Sequence, residues 1–212
     1  MNDFLKMAKL DFLSIKPQLL SYLAVIPAVL IFGITSKAIA IILFSFTVAW
    51  YEALSVTNIF MIQEKNGLDR LYNSLSINLN DIVLGRYIFV LFTYIITYII
   101  TISLFAIIIG FSNINGLIIL IGFSLSLLYF SVITGIQFPI CFKIGYTKAK
   151  VWHTILFFSM LLAILPLISV FSDVTQWVQS NQYIAIIISL FSCCMIQFVS
   201  YRISLVSYSK RI

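Results

Sequence analysis

Residues 63–87, QEKNGLDRLYNSLSINLNDIVLGRY, form the one long polar interruption in a chain that otherwise reads as lipid-soluble. Asn66-Gly67 is a turn signal able to end whatever helix precedes it. Beyond it, Leu68, Leu71, Tyr72 and Leu75 recur at helical spacing, with Asp69, Arg70 and Asn73 between them. This pattern predicts a short amphipathic helix with one apolar face. Ser76-Ile77-Asn78 breaks it. Asn78 or Asn80 can then cap a new helix, and Asp81 falls in the first turn of that helix, where the macrodipole favours an acid. The chain is thus expected to leave one apolar helix, lay a small one across the interface and re-enter. Such a shape suits a handle for something outside the membrane.

The rest of the chain explains why a membrane is invoked. Of its 212 residues, 62% are hydrophobic, 16% aromatic and 9% charged, with a mean hydropathy of +1.10. Soluble domains carry about 25% charged residues, so the composition is that of an integral membrane protein. The net charge of +6 does not indicate nucleic-acid binding, because the basic residues fall in loops in a topological pattern. Cys141, Cys193 and Cys194 are odd in number and lie within apolar runs, which suits small core residues better than a disulfide framework.

Residues 1–16 are too charged to span a bilayer. Phe4, Leu5, Ala8, Phe12 and Ile15 share one arc of a helix, as an interfacial segment lying at the headgroups would have it. Residues 17–212 then hold six candidate spans, each near the roughly 20 apolar residues a crossing needs: about 18–34, 38–62, 82–110, 116–142, 151–171 and 183–206. With the N-terminus inside, 12 of the 13 Lys and Arg residues fall in cytoplasmic segments or near the cytoplasmic ends of spans, and Lys37 alone falls outside. Both termini and the 63–87 handle are therefore expected in the cytoplasm. The outer side is nearly bare, its one sizeable piece being residues 172–182 with Asp173 and Trp177. The expected fold class is all-α integral membrane, with an N-terminal interfacial helix and a short cytoplasmic helix between spans two and three.

No GxxxxGK[ST] phosphate loop is present, so the chain is not expected to hydrolyse ATP, and no enzyme activity or bound cofactor is read from it. His153 has no second ligand beside it, and no metal site is expected. The one acid within the spans is Glu52, preceded by Trp50 and Tyr51. A charge at that depth costs about 3 kcal/mol on insertion scales. Two readings stand. Glu52 is either a gate, proton-coupled group or contact for a cationic substrate on a path shared with Trp50 and Gln137, or a structural glutamate satisfied by Ser55, Gln137 or Gln197. The second cytoplasmic loop carries Lys143, Gly145, Tyr146, Lys148 and Lys150, a basic turn open to anionic lipid or to a protein partner.

The handle also resembles a family. Small permease subunits of ABC exporters, the ABC type-2 group that includes the membrane subunits of the phenol-soluble modulin exporter, share the pattern S-L-P-[IV]-x-R-x-D-I-V-x-G-K-Y. Here Ser74-Leu75, Ile77, Asp81-Ile82-Val83, Gly85, Arg86 and Tyr87 stand in register, with Ser76 and Leu79 as departures. A second match, residues 138–150 (FPICFKIGYTKAK), is similar to the family's F-P-x-x-[FY]-K-[FI]-G-Y-x-K-A-[RK]. The resemblance implies an N-terminal elbow helix and a coupling helix built from Leu68, Asp69, Arg70, Leu71, Tyr72 and Leu75. It implies two separate ATPase subunits holding ATP and magnesium, and a second permease copy or homologue in a bacterial plasma membrane. An amphipathic peptide or lipid-like substrate would leave the cell, antimicrobial peptides among the candidates. Two rivals remain open at this point: an ion-coupled secondary transporter using Glu52, and a non-transporting immunity or sensor adaptor.

Overall fold

The computed structural model describes residues 9, 11–13, 37–68, 72, 78–109, 116–152, 154–155 and 180–211. The expected first span, most of the fifth and most of the outer 172–182 segment lie outside these residues. So do Asp69, Arg70, Leu71, Leu75 and His153. Every regular element among the described residues is helical. Among the described residues there are four long helices: α1 (Lys37–Lys65), α2 (Leu79–Ile109), α3 (Gly116–Ile144) and α4 (Gln182–Ser209). Among the described residues three stretches are long and apolar enough to cross a membrane, namely Leu79–Leu104, Gly116–Ile144 and Gln182–Ser209. Their Ile- and Val-rich runs would be poor helix formers in water. In hydrocarbon every backbone polar group must be satisfied internally, and a helix does this whatever its side-chain propensity.

Asn78 precedes α2, and its carbonyl accepts from the Asp81 and Ile82 amides at 3.0 and 3.2 Å. Asp81 lies in that first turn, where a negative charge complements the dipole. α1 ends at the turn through Asn66 and Gly67, the latter at φ 61, in the left-handed region that glycine adopts without strain.

Among the described helices α3 makes the most extensive packing, on α4 and α1. Its seam with α4 is made of small residues. Ala185, Ser189, Cys193, Ser200, Ser204 and Tyr208 are the buried positions of α4, and all but Tyr208 are small. A Cβ added to Gly135 of α3 would stand 2.9 Å from Ile196 Cγ2, so glycine is what lets the two backbones approach. Pro139 lies inside α3 and cannot donate to the carbonyl of Gly135 one turn earlier. Ser200 Oγ donates to that carbonyl at 2.8 Å and satisfies it from the neighbouring helix. Ser131 and Cys193 (2.8 Å) and the Gln197 amide on Thr134 Oγ1 (3.0 Å) stitch the same seam.

α2 meets α3 through rings. Tyr94 stacks on Phe130 with centroids 4.5 Å apart, and its hydroxyl reaches Ser126 Oγ at 2.6 Å. The Tyr98 hydroxyl bonds Ser45 Oγ of α1 at 3.1 Å and the Ile119 carbonyl of α3 at 3.2 Å. The outward faces of α2 and α4 remain apolar, with Phe92, Ile99, Ile187, Phe191 and Phe198 each more than half exposed. Chains in water hide such faces. A bilayer is the solvent that accepts them.

Candidate functional site: the junction at the charged ends of the helices

The two ends of the polar stretch that interrupts the sequence meet in space at one side chain. Arg86, in the second turn of α2, is fully buried. An isolated guanidinium there would be prohibitively costly, so its surroundings must supply acceptors. Gln63 Oε1, in the last turn of α1, accepts from Nη1. Asp11, in the N-terminal helical segment, accepts from Nε at 3.4 Å and from Nη2 at 3.5 Å. Aromatic faces close the remaining sides. The guanidinium carbon lies 4.7 Å from the Phe60 centroid and 5.6 Å from that of Phe142, a cation–π box. Phe60 and Phe142 are themselves edge to face at 5.1 Å, and Phe142 meets Tyr208 of α4 at 5.1 Å. Tyr72 and Tyr208 are both buried within electrostatic reach of the cation.

The next residue repeats the convergence. The Tyr87 ring stands perpendicular to Phe138 at 4.5 Å, and its hydroxyl bonds Ser200 and Ser204 of α4 at 2.5 and 2.9 Å. Arg86-Tyr87 closes one motif of the sequence, and Phe138 with Phe142 opens the other. The two stretches, distant in the chain, pack against each other at this junction.

A second polar cluster lies beside the first. Gly145 separates α3 from a short helix over residues 146–152 and takes φ 77, where any side chain would be strained. A Cβ at that position would also meet Glu64 Oε2 at 3.1 Å and Arg211 Nη2 at 3.2 Å. The Glu64 carboxylate accepts from the Thr147 amide at 3.0 Å and so caps the short helix from a different element. Arg211 Nη1 donates to the Cys141 carbonyl at 3.2 Å, at the C-terminal end of α3. Partial burial pushes the Glu64 carboxyl up, but the Thr147 and Tyr146 bonds and the Arg211 charge together outweigh it, and the group lies below its ordinary 4.5. For Asp11 the balance tips the other way: burial raises its carboxyl by more than Arg86 lowers it.

The residues singled out by sequence distribute unevenly over this end. Leu68 is half-buried against the core, whereas Tyr72, expected on the free apolar face, is 2% exposed and turned into the chain's own core. The physical reason is the neighbouring cation and the ring cluster, which give a phenol both apolar and polar contacts. Lys143, Lys148 and Lys150 are exposed, Tyr146 is half-buried, and Ala149 is fully buried beneath the short helix. The short helix therefore shows its lysines outward and its one small residue inward.

The candidate path residues lie deeper. Glu52 is fully buried in α1 and accepts from Thr97 Oγ1 of α2, a partner the sequence reading passed over. Gln197, one of the expected partners, is bonded to Thr134. Gln137 is buried, and among the described residues its side-chain oxygen has no hydrogen-bond partner. Trp50 lies on the helix, its side chain outside the described residues, as is that of Ser55. A cavity of about 120 Å³ lies between α2, α3 and α4, lined by Tyr87, Thr134, Phe138 and Gln197 among others. Among the described residues no three His, Cys, Asp or Glu side chains are gathered as metal ligands would be.

Sequence reasoning missed Asp11, Gln63 and the small-residue seam. The seam had a signal, since Ala185, Ser189, Cys193, Gln197 and then Ser200, Ser204, Tyr208 recur at three- and four-residue spacing along one face. Asp11 had none, because its partner lies 75 residues away in the chain. No curated protein and no solved structure shows a comparable match. The family model described as ABC-2 family transporter protein matches residues 6–209, nearly the whole chain and both motifs that meet at Arg86 and Tyr87. The chain therefore belongs to the ABC-2 family of transporter proteins, as a membrane permease component and not itself a catalyst.

Proposed function

We propose that this permease is half of the membrane part of an ABC exporter. It pairs with a second copy or a homologue and with two separate ATPase subunits that hold ATP and magnesium. It crosses a bacterial plasma membrane six times with both termini in the cytoplasm, and moves an amphipathic peptide or lipid-like substrate outward. Residues 66–78 are the docking element, with Leu68, Leu71 and Leu75 as apolar contacts and Asp69 and Arg70 at the rim. The exposed Lys143, Lys148 and Lys150 lie nearby, at the end of α3 and on the short helix that follows Gly145.

The observation that carries this reading is the junction itself. The loop's flanks, Gln63 and Arg86, join directly to each other and through Phe60 and Phe142 to α3. A displacement imposed on the loop by a closing ATPase dimer would reach α1, α2 and α3 together. Nucleotide can bias such a domain only through contacts that differ between its states, and a loop fixed to three helices supplies the lever. The outward apolar faces and minimal outer loops favour a substrate taken from the membrane over a polar solute.

Leu71→Ala combined with Leu75→Ala should leave the chain inserted yet weaken ATPase binding roughly thirtyfold, the effect of losing about 2 kcal/mol at an interface contact. Co-purification and substrate-stimulated ATP hydrolysis measure it. Tyr72 is unsuited to this test because its removal would strike the core. Undiminished ATPase binding by the double variant would remove the docking role from this element. The complete burial of Glu52 keeps ion coupling as a second reading. Loss of transport in Glu52→Gln, with ATPase binding and expression unchanged, would favour it, and wild-type behaviour would make Glu52 structural.

A further inference from the structure

Arg86, on one flank of the 66–78 loop, contacts the other flank through Gln63, and it also contacts the N-terminal segment through Asp11. Its partners differ in closeness. Gln63 is held tightly, whereas both Asp11 distances, 3.4 and 3.5 Å, exceed the 2.7–2.9 Å typical of a charge-assisted pair. Of the described residues in the N-terminal segment, Asp11 is the one turned inward. Lys9 is exposed, and Phe12 and Leu13 are 47% and 52% exposed.

We infer that Arg86 is a positioning residue that ties the N-terminal helix to the flanks of the 66–78 loop through Asp11, as a latch whose separable side is the Asp11 contact. When that contact parts, Arg86 keeps Gln63 and the Phe60 and Phe142 faces, so the cation retains partners and the two flanks of the loop stay joined. Among the described residues the Asp11 carboxylate has no such set. While the contact holds, the N-terminal helix and the loop move as one body. On the exporter reading this makes the N-terminal helix a further arm of the lever. The latch itself rests on the geometry of this chain and can be judged without any ATPase.

Spin labels at Lys9→Cys and Asn66→Cys, both exposed positions, report the separation of helix and loop in the full-length protein in lipid nanodiscs. Cys194 is replaced by alanine, since it is exposed, and the buried Cys141 and Cys193 are kept. The latch requires a single narrow distance peak in the parent protein. That peak should be lost in Asp11→Asn and in Arg86→Gln, and kept in Asp11→Glu. The double variant Asp11→Asn with Arg86→Gln should be no broader than either single one, since both break one contact. Should Arg86→Gln fail to insert, Asp11→Asn decides alone, because it removes the charge at nearly constant volume. An unchanged narrow peak in Asp11→Asn overturns the latch, as does a double variant whose broadening is the sum of the singles. Co-purification of an ATPase with the parent chain tests the exporter reading separately.

Discussion

Glu52 and Glu64 sit on the same helix, and burial divides their chemistry. The first is sealed among side chains and accepts from a threonine, while the second faces water and caps a helix that belongs to another part of the chain. Glu64 is the acid from which a pH dependence follows. Its folded-state value is lowered from 4.5, so the folded form binds the proton more weakly than the unfolded chain does. Its contribution is therefore fully present above 4.5 and is lost as pH falls through the lowered value. Glu64→Gln should lower the thermal midpoint at neutral pH by a small amount, given the exposure of the group and its screening by salt. The difference from the parent protein should close on acidification below 4.5. A gap that stays constant through that window would show that the carboxylate charge does not hold the Thr147 amide. Arg86 shows why such residues resist a reading from sequence. Topology rules treat a basic residue as a loop marker, and Arg86 duly sorts with the cytoplasmic set. Yet it is buried in a helix, because its countercharge comes from Asp11, which no local pattern could supply.

Elements declare themselves more readily than their contacts do. The apolar run from Gly116 to Ile144 ends where Lys143 and Gly145 say it should, because a charge and a left-handed glycine both oppose continuation inside lipid. The face of a helix that turns inward is another matter. Tyr72 shares helical spacing with three leucines, and the period alone put it outward with them; only the cation of Arg86 and the rings around it decide otherwise. The α3–α4 seam offers the sharpest test at this scale. Gly135→Ala places a methyl 2.9 Å from Ile196 Cγ2, and a β-branched side chain has little freedom to yield. A cost of about 1–3 kcal/mol from overpacking is expected. Adding Ile196→Ala should recover part of it, since the clashing methyl is then gone. Ser200→Ala should cost about 1 kcal/mol by leaving the Gly135 carbonyl unsatisfied beside Pro139. Unfolding of the detergent-solubilised chain measures all three. If Gly135→Ala is as stable as the parent and Ile196→Ala adds only its own loss, the helices do not approach as closely as the seam requires.

For the whole molecule, the charged junction gives the bundle a direction. Glu64, Lys65, Arg86, Lys143, Lys148, Lys150 and Arg211 gather at one end of α1 to α4, and the opposite ends of the helices carry mostly apolar residues. Lys and Arg accumulate on the cytoplasmic side of a membrane protein because that is the side from which they do not have to be translocated. The junction should therefore face the cytoplasm, and the α2–α3 turn the exterior. Single cysteines at Lys65 and Lys148, in a background lacking Cys194, should react with an impermeant thiol reagent only after the cells are permeabilised. Cysteines at Asn115 and Gln179 should react in intact cells. The two pairs constrain each other, because α2 joins the end bearing Lys65 to the turn bearing Asn115, and α4 joins Gln179 to Arg211. Labelling of Lys65→Cys in intact cells would invert the molecule. The Arg86 junction would then lie outside, beyond the reach of ATP, and no coupling to a cytoplasmic ATPase could pass through it.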